Sequence, residues 1–308
     1  LLFAPTALCA SNTKPMSSPS ARPYIGRFAP SPTGPLHFGS LVCALASYLD
    51  ARHHGGKWLL RIEDIDPPRE QSGAADAIKR TLEAHGLCWD GEVRYQSQRS
   101  EAYWECINEL KKLDLVYPCN CTRARLASLK GPYDGHCRRH PPAAGEACAL
   151  RLKVSDLPPA FRQLDTQISF HDRVRGIQSE NLETVSGDFV IHRKDGFFAY
   201  QLAVVVDDID QGITDIVRGD DLLDTTARQI FLYYILGKKP PSFAHIPVIR
   251  DEHGNKLSKQ NHASAVDNAN YQNNLHDALR ALGINLEKKN TLPALLQEAA
   301  IHWPLAIR

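Results

Sequence analysis

Residues Arg27 to Gly39 read RFAPSPTGPLHFG, and far downstream Lys256 to Gln260 read KLSKQ. The first stretch ends a short apolar run, turns through Pro30, Pro32, Gly34 and Pro35, and delivers His37 and Gly39 to a periodic helical segment, Leu41 to Arg52. A strand end feeding a helix start sets backbone N–H groups and the positive end of the helix dipole against a phosphate, and a glycine there lets the ligand approach the backbone. The second stretch places two lysines around a serine, a cationic loop suited to charge building up on a departing pyrophosphate. Either stretch alone is common, since lysine-rich runs are ordinarily solvated surface. Their order, more than two hundred residues apart, makes the combination informative.

Outward from the first stretch, elements alternate. Tyr24 to Phe28 reads as a strand, Ser40 to His54 as a helix, Lys57 to Glu63 as a strand and Gly73 to His85 as a helix, joined by turns rich in Gly and Pro. This order predicts parallel strands with right-handed crossovers. Glu101 to Leu113 predicts a helix carrying Tyr103, Trp104, Ile107 and Leu110 on one face. The chain then becomes shorter in period and antiparallel in character, with ALRLKV from Ala149 and DFVIHR from Asp188. From Phe197 the parallel pattern resumes. QLAVVVDDID, from Gln201, is a continuous apolar run ending in acids and predicts a buried central strand with Tyr200 at its start. LHDALRALGI and LPALLQEAA predict two short amphipathic helices. The fold class expected is α/β, with a Rossmann-like parallel sheet split by an insertion and a small helical module after it.

Composition suits an enzyme. The 308 residues, 43% of them hydrophobic, can fill one large α/β domain plus smaller modules. The formal charge is +1, so RNA binding would have to rest on local patches. No apolar run approaches the roughly 20 residues a membrane helix needs, and no membrane association is expected. The opening LLFAPTALCAS lacks a basic leader, and residues 1–21 read as an unstructured extension, not a cleaved signal. The eight cysteines do not form a secreted disulfide framework in a chain this long, which points to a cytoplasmic protein. Cys43, Cys88 and Cys106 fall in apolar or helical patterns and read as small buried hydrophobes.

Together the two stretches resemble the HIGH and KMSKS signatures of class I aminoacyl-tRNA synthetases. PSPTGPLHFG and the acidic RIEDID at Arg61 to Asp66 are similar to the glutamyl branch of that class. Ser40 stands where HIGH has its last histidine, a departure common in that branch, so that histidine's usual role has no residue here. Ordinary glutamyl-tRNA synthetases continue into an anticodon-binding region, which this protein is expected to do without, and KLSKQNHA ends its motif in glutamine. Both features resemble the shortened glutamyl-queuosine branch. The resemblance implies a first catalytic half at 22–118, a zinc-bearing connective insertion at 119–195, a second catalytic half at 196–238, and a KMSKS-like loop with a helical stem-contact module at 239–308.

Cys119, Cys121 and Cys137 cluster in a segment of little hydrophobic periodicity, where a metal would substitute for a core. Zinc needs four donors, and Tyr133, His136, His140 and Cys148 are all candidates for the fourth. On chemistry alone histidine is the better donor, because a phenol must lose a proton of pKa about 10. The glutamyl-queuosine pattern instead implies Cys119, Cys121, Tyr133 and Cys137 around one structural Zn²⁺. The alternative is a set of free thiols. Residues 119 to 153 also hold seven Lys/Arg against two acids, a surplus suited to phosphate contact unless the arginines pair internally.

The resemblance further implies activation of L-glutamate by ATP, with Mg²⁺, without tRNA, and delivery of the glutamate to queuosine in tRNA(Asp), by a chain expected to be monomeric. His37, Lys256 and Lys259 would be the catalytic group, and His37, Gly39 and Lys259 would contact ATP. Arg27, Phe28, Ala29, Pro30, Ser31, Glu63, Tyr200 and Arg218 would form the glutamate pocket, Arg218 for a substrate carboxylate and Glu63 for the ammonium group. Structural readings compete at single positions. Arg27 and Arg218 suit ion pairs, Glu63 a turn cap, and Tyr200 a core aromatic. At the level of the whole protein the competitors are a shortened glutamyl-tRNA synthetase charging tRNA(Glu), and a catalytically silent, zinc-bearing RNA-binding paralogue.

Overall fold

The computed structural model describes residues 22–249, 264–287, 289 and 291–303. In chain order, β1 (Ile25–Phe28), α1 (Phe38–His53), β2 (Lys57–Ile62), α2 (Ala74–Ala84), β3 (Arg94–Tyr95) and α3 (Ser100–Lys112) form the first half. An intervening region holds β4 (Val116–Cys119), α4 (Arg123–Ser128), α5 (His136–Arg139), β5 (Ala149–Leu152), β6 (Gln167–Asp172), β7 (Gly176–Asn181), α6 (Leu182–Val185) and β8 (Phe189–His192). The second half is α7 (Tyr200–Asp210), β9 (Asp215–Gly219), α8 (Thr226–Ile235) and β10 (Ser242–Ile246), followed by α9 (Tyr271–Ala281) and α10 (Leu292–Ile301).

Two ladders make the main sheet. One runs β1-β2-β3, all parallel, with Ile25 opposite Lys57 and Phe28 opposite Leu60; the other runs β7-β6-β10-β9, parallel except for the β6/β7 hairpin. They meet where β1 lies beside β9: the Thr214 N–H donates to the Ile25 carbonyl (2.9 Å), and the Ile25 N–H to Oγ1 of Thr214 (2.8 Å). Strand order therefore reverses between β1 and β9, and the crevice beyond the carboxyl ends of those strands is where such sheets bind ligands. Both faces are covered. On β9, Val217 enters a core shared with α1, α2, α9 and α10, while Ile216 enters a second core shared with α3, α7 and α8. That two-residue alternation between two dry layers is how a parallel sheet becomes hydrophobic throughout. A separate antiparallel sheet, β4-β5-β8, carries the metal-type segment, as ALRLKV and DFVIHR predicted.

One expected element is corrected. QLAVVVDDID is the helix α7 and not a central strand. Seven of its residues, from Gln201 to Asp208, are buried, because α7 packs between the sheet and other helices, and its half-open positions Val206 and Ile209 are apolar too, so no helical period prints in the sequence. Its valine run has strand propensity, which tertiary packing overrides. Two smaller readings also change. Cys43 and Cys106 carry no disulfide and are half-buried, but Cys88 is disulfide-bonded. Trp104 leaves the buried face of α3 and stands 38% exposed against His192 and Phe198. No helix among the described residues is long and apolar enough to cross a membrane.

Candidate functional site

The turn after β1 and the start of α1 form one side of the crevice. The Glu63 N–H donates to the Pro30 carbonyl (3.0 Å) and the Gln71 N–H to that of Pro32 (3.0 Å), so the prolines are held at the ends of β1 and β2. Phe28 turns its ring into the first core beside Trp58, leaving Ala29 and Pro30 half-buried and Ser31 exposed. His37 caps α1: its Nδ1 accepts from the Ser40 N–H (3.2 Å), and Nε2 lies 2.9 Å from the Ser40 hydroxyl. Gly39 is the second residue of α1, in the turn whose N–H groups have no helical partner. Lys256 and Lys259 lie outside the described residues. The chain just past them returns to the histidine turn, since Ala265 bridges His37 and the Val266 N–H donates to the Leu36 carbonyl (2.9 Å).

Buried charge fills the floor of the crevice. Asp208 of α7 receives Nε and Nη2 of Arg27, each at 3.1 Å, and Nη1 of Arg61 at 2.7 Å. Burial alone would push the Asp208 carboxyl up, but the two guanidinium groups hold it below the usual carboxylate range. Nη2 of Arg61 also reaches Glu63 (3.3 Å), whose pKa is raised chiefly by burial, against the pull of Arg61 and Arg27.

Arg218 is in a different situation. It is 3% exposed and donates from Nε to His245 Nε2 (2.9 Å), from Nη1 to Tyr200 Oη (3.3 Å) and from Nη2 to Thr226 Oγ1 (2.8 Å), all uncharged acceptors. Among the described residues no carboxylate lies within ion-pair distance of it, and burial lowers its pKa. A buried cation whose direct hydrogen-bond partners are all uncharged attracts an anionic ligand. Tyr200, whose phenol is pushed up by burial, stands in the field of Arg218, Glu63 and Arg27 together, so these four expected residues share one site. Among the described residues Tyr233 Oη, buried there, has no hydrogen-bond partner.

Sequence reasoning missed Asp208, Thr226, Tyr233, His245 and Asp172. Only Asp208 carried a usable signal, as an acid inside an apolar run. Reading that run as a strand hid the fact that adjacent helical positions diverge: Asp207 faces Arg99, Tyr103 and Gln96, while Asp208 faces Arg27 and Arg61.

The second centre is the end of β4 with the turn before α5. Ligand atoms of Cys119, Cys121 and Cys137 all lie within 4.8 Å of one another. Tyr133 Oη is 3.6 Å from Cys119 Sγ and 3.7 Å from Cys121 Sγ, and accepts the Cys137 N–H at 2.9 Å. Arg151 stacks on the Tyr133 ring (3.8 Å) and donates to Cys119 Sγ (3.2 Å); that bond and the one from Tyr133 outweigh burial and bring the Cys119 thiol down to about 7. Three convergent sulfurs, one of them readily ionised, are a donor set that fits a thiophilic cation. His136, His140 and Cys148 do not join the cluster among the described residues. Of the seven cations counted between 119 and 153, Arg125, Arg138 and Lys153 are paired with Asp134, Asp156 and Asp114, and Arg151 is buried. Arg123, Lys130 and Arg139 remain exposed.

Residues 25–292 match the catalytic domain of the class I tRNA synthetases (E and Q). Over 292 residues the chain is 49% identical to the glutamyl-Q tRNA(Asp) synthetase of Cronobacter sakazakii, covering 93% of this chain and 94% of that protein. The chain belongs to the glutamyl-Q tRNA(Asp) synthetase family of class I. A member from Escherichia coli K12 is 50% identical over 287 residues, 92% of this chain and 89% of that one. Among solved structures, a glutamate tRNA ligase from Elizabethkingia meningosepticum, in complex with its amino acid, superposes with a TM-score of 0.66 at 31% identity. That match covers 78% of this chain and 52% of the ligase, so the chain spans about half the length of that solved relative.

Proposed function

We propose that the chain activates L-glutamate with ATP, independently of tRNA, and transfers the glutamyl group to queuosine at the wobble position of tRNA(Asp). The observation that carries this reading is the unneutralised guanidinium of Arg218, buried beside Tyr200 with Glu63 in electrostatic reach. A zwitterion with a side-chain carboxylate complements that arrangement: Arg218 takes the carboxylate, and Glu63, ionised above its raised pKa, takes the ammonium group. Arg27 and Arg61 hold the floor rigid through Asp208, while Ala29, Pro30 and Ser31 present backbone along the rim.

The α-carboxylate then attacks the α-phosphorus of ATP in line. A mixed anhydride forms, the bond to the bridging oxygen breaks, and pyrophosphate leaves with that electron pair. No side chain need act as nucleophile; positioning and charge stabilisation supply the catalysis. His37 and the first turn of α1, with Gly39, would face the phosphates, and Lys256 and Lys259 would cover the leaving group. Mg²⁺ would accompany ATP. In the second step a hydroxyl of the queuosine cyclopentenediol attacks the anhydride carbonyl, an ester forms, and AMP departs. Cys119, Cys121 and Cys137 would hold one Zn²⁺, with Tyr133 as the fourth donor on the strength of its proximity; the ion would supply structure to a segment with little core of its own.

Glutamate-dependent pyrophosphate exchange without RNA tests the first half, and mapping labelled glutamate on tRNA(Asp) with and without queuosine tests the second. Exchange together with label on queuosine is the expected result. Label on the 3′ adenosine would make the protein a tRNA-charging enzyme, and absence of exchange would make it a silent paralogue. Arg218→Ala is expected to raise the glutamate KM about 30- to 1,000-fold, the loss of a charge-assisted contact of roughly 2 to 4 kcal/mol. Unchanged exchange in that variant would remove Arg218 from the pocket.

A further inference from the structure

His245, at the carboxyl end of β10, has a fully buried ring whose two nitrogens face opposite charges. Nδ1 is 2.6 Å from Oδ2 of Asp172, the last residue of β6, and Nε2 is 2.9 Å from Nε of Arg218. Asp172 is itself wholly buried, and its Oδ1 accepts the N–H groups of Val174 (2.9 Å), Arg175 (2.8 Å) and His245 (3.1 Å). Four donors converging on one carboxylate keep it charged: burial pushes its pKa up, but the hydrogen bonds from His245 and those backbone groups bring it to about 2. A charged acceptor at Nδ1 holds the imidazole proton there, which leaves the Nε2 lone pair as the acceptor for Arg218. Protonation of both nitrogens would set an N–H against the Nε–H of a cation.

We propose that Asp172 and His245 are a positioning pair that fixes the plane of the Arg218 guanidinium and keeps its outward N–H groups, and its whole charge, for the substrate. Three donors of Arg218 are spent on His245, Tyr200 and Thr226, and none of these cancels its charge. A carboxylate placed directly on Nε would orient the group equally well and neutralise it. Putting the carboxylate one imidazole away gives orientation without neutralisation. Neither residue touches substrate; both act through Arg218. The pair also ties the substrate pocket to the intervening region, because Asp172 closes β6 while His245 and Arg218 sit side by side on β10 and β9. This inference rests on the reading that Arg218 grips the glutamate carboxylate.

The test is pyrophosphate exchange by the full chain with His245→Leu, His245→Gln, Asp172→Asn and, as a control, Arg218→Ala. His245→Leu should raise the glutamate KM about 10- to 100-fold, with the ATP KM and the rate at saturating glutamate nearly unchanged, the pattern of a displaced orienting partner. His245→Gln, whose amide oxygen can accept from Nε, should recover most of that loss. Asp172→Asn should fall between them. In the wild-type protein, ¹⁵N spectra of labelled histidine should show a neutral His245 ring carrying its proton on Nδ1. A proton on Nε2, an unaltered glutamate KM in His245→Leu, or equal damage to the glutamate KM, ATP KM and melting temperature in the Leu and Gln variants would each overturn the inference. If Arg218→Ala itself leaves exchange unchanged, the pocket reading fails; if it abolishes exchange while His245→Leu does nothing, only the positioning pair fails.

Discussion

Arg27 and Arg218 carry the same guanidinium on neighbouring strands, in different electrostatic surroundings. Arg27 is matched to Asp208 by two parallel bonds. Among the described residues Arg218 has only uncharged hydrogen-bond acceptors. Family spacing in the sequence pointed to Arg27, Glu63, Tyr200 and Arg218, and the fold brings these four together. It did not point to the residues that orient Arg218: His245 and Asp172 are 73 positions apart, and neither stands in a motif. Their titration is a prediction at this scale. The folded Asp172 carboxyl is held at about 2 against about 3.9 when unfolded, so the unfolded chain takes up the proton first. The stability it contributes, on the order of 2 kcal/mol, is present above pH 4 and lost as pH falls toward 2. His245 is held neutral chiefly by burial, so its lowered pKa also costs stability as pH falls, beginning near its unfolded value of about 6.5. Urea unfolding of wild type and Asp172→Asn should show a stability gap that narrows by about 2 kcal/mol between pH 6 and pH 2.5. A constant gap would mean that Asp172 titrates as an ordinary carboxylate.

At the scale of elements, the parallel strands and crossover helices of the first half were readable because each had one dry face and turn residues at its ends. α7 was not, because a helix whose half-open positions are apolar too loses the period that identifies it, and its acids then point where no strand would send them. The metal-type segment was readable as a cluster of cysteines, but the fourth donor was open on chemistry alone, and only proximity separates Tyr133 from His136, His140 and Cys148. That proximity depends on the turn between α6 and β8. Gly187 adopts φ +60° and pairs with Tyr133, whose N–H donates to the Ser186 carbonyl (3.2 Å). A Cβ on Gly187 would stand 2.5 Å from the Tyr133 carbonyl oxygen, backbone that cannot rotate aside. Gly187→Ala should therefore destabilise by about 2 to 4 kcal/mol, combining an unfavourable φ with overpacking. It should also speed release of bound Zn²⁺ to a chromophoric chelator, because the phenol is displaced from the thiols. Wild-type release kinetics in that variant would show that the Tyr133 segment is held by something other than this close approach.

Over the whole molecule, the order of strands places β1, β2, β9 and β10 with their carboxyl ends on one crevice, which is why residues as distant as Arg27, Glu63, Arg218 and His245 meet. What keeps the parts in register lies at the other side of α1. Asp50, fully buried, accepts from Tyr24 Oη before β1, from Nη2 of Arg173 after β6 (2.7 Å) and from Nε1 of Trp303 after α10 (3.0 Å). One carboxylate thus joins the first half, the intervening region and the C-terminal helices, and the sequence gives no hint of it because its partners lie 26, 123 and 253 positions away. Among the described residues, removing it leaves the Arg173 guanidinium with Asp215 at 3.9 Å as its one remaining acid and strands two further donors. Asp50→Ala should cost about 3 kcal/mol, near the low end for breaking a buried pair because Arg173 keeps some solvent and a second acid. Asp50→Asn, whose single amide oxygen can still accept from Trp303 while its NH2 donates to Tyr24 Oη, offers Arg173 no charge and should cost less than Asp50→Ala. Since Asp50 lies outside the crevice, the glutamate KM of folded Asp50→Asn protein should match the wild type while its urea midpoint falls. A glutamate KM that rises in step with the lost stability would mean that the inter-element clamp and the substrate pocket are one cooperative unit.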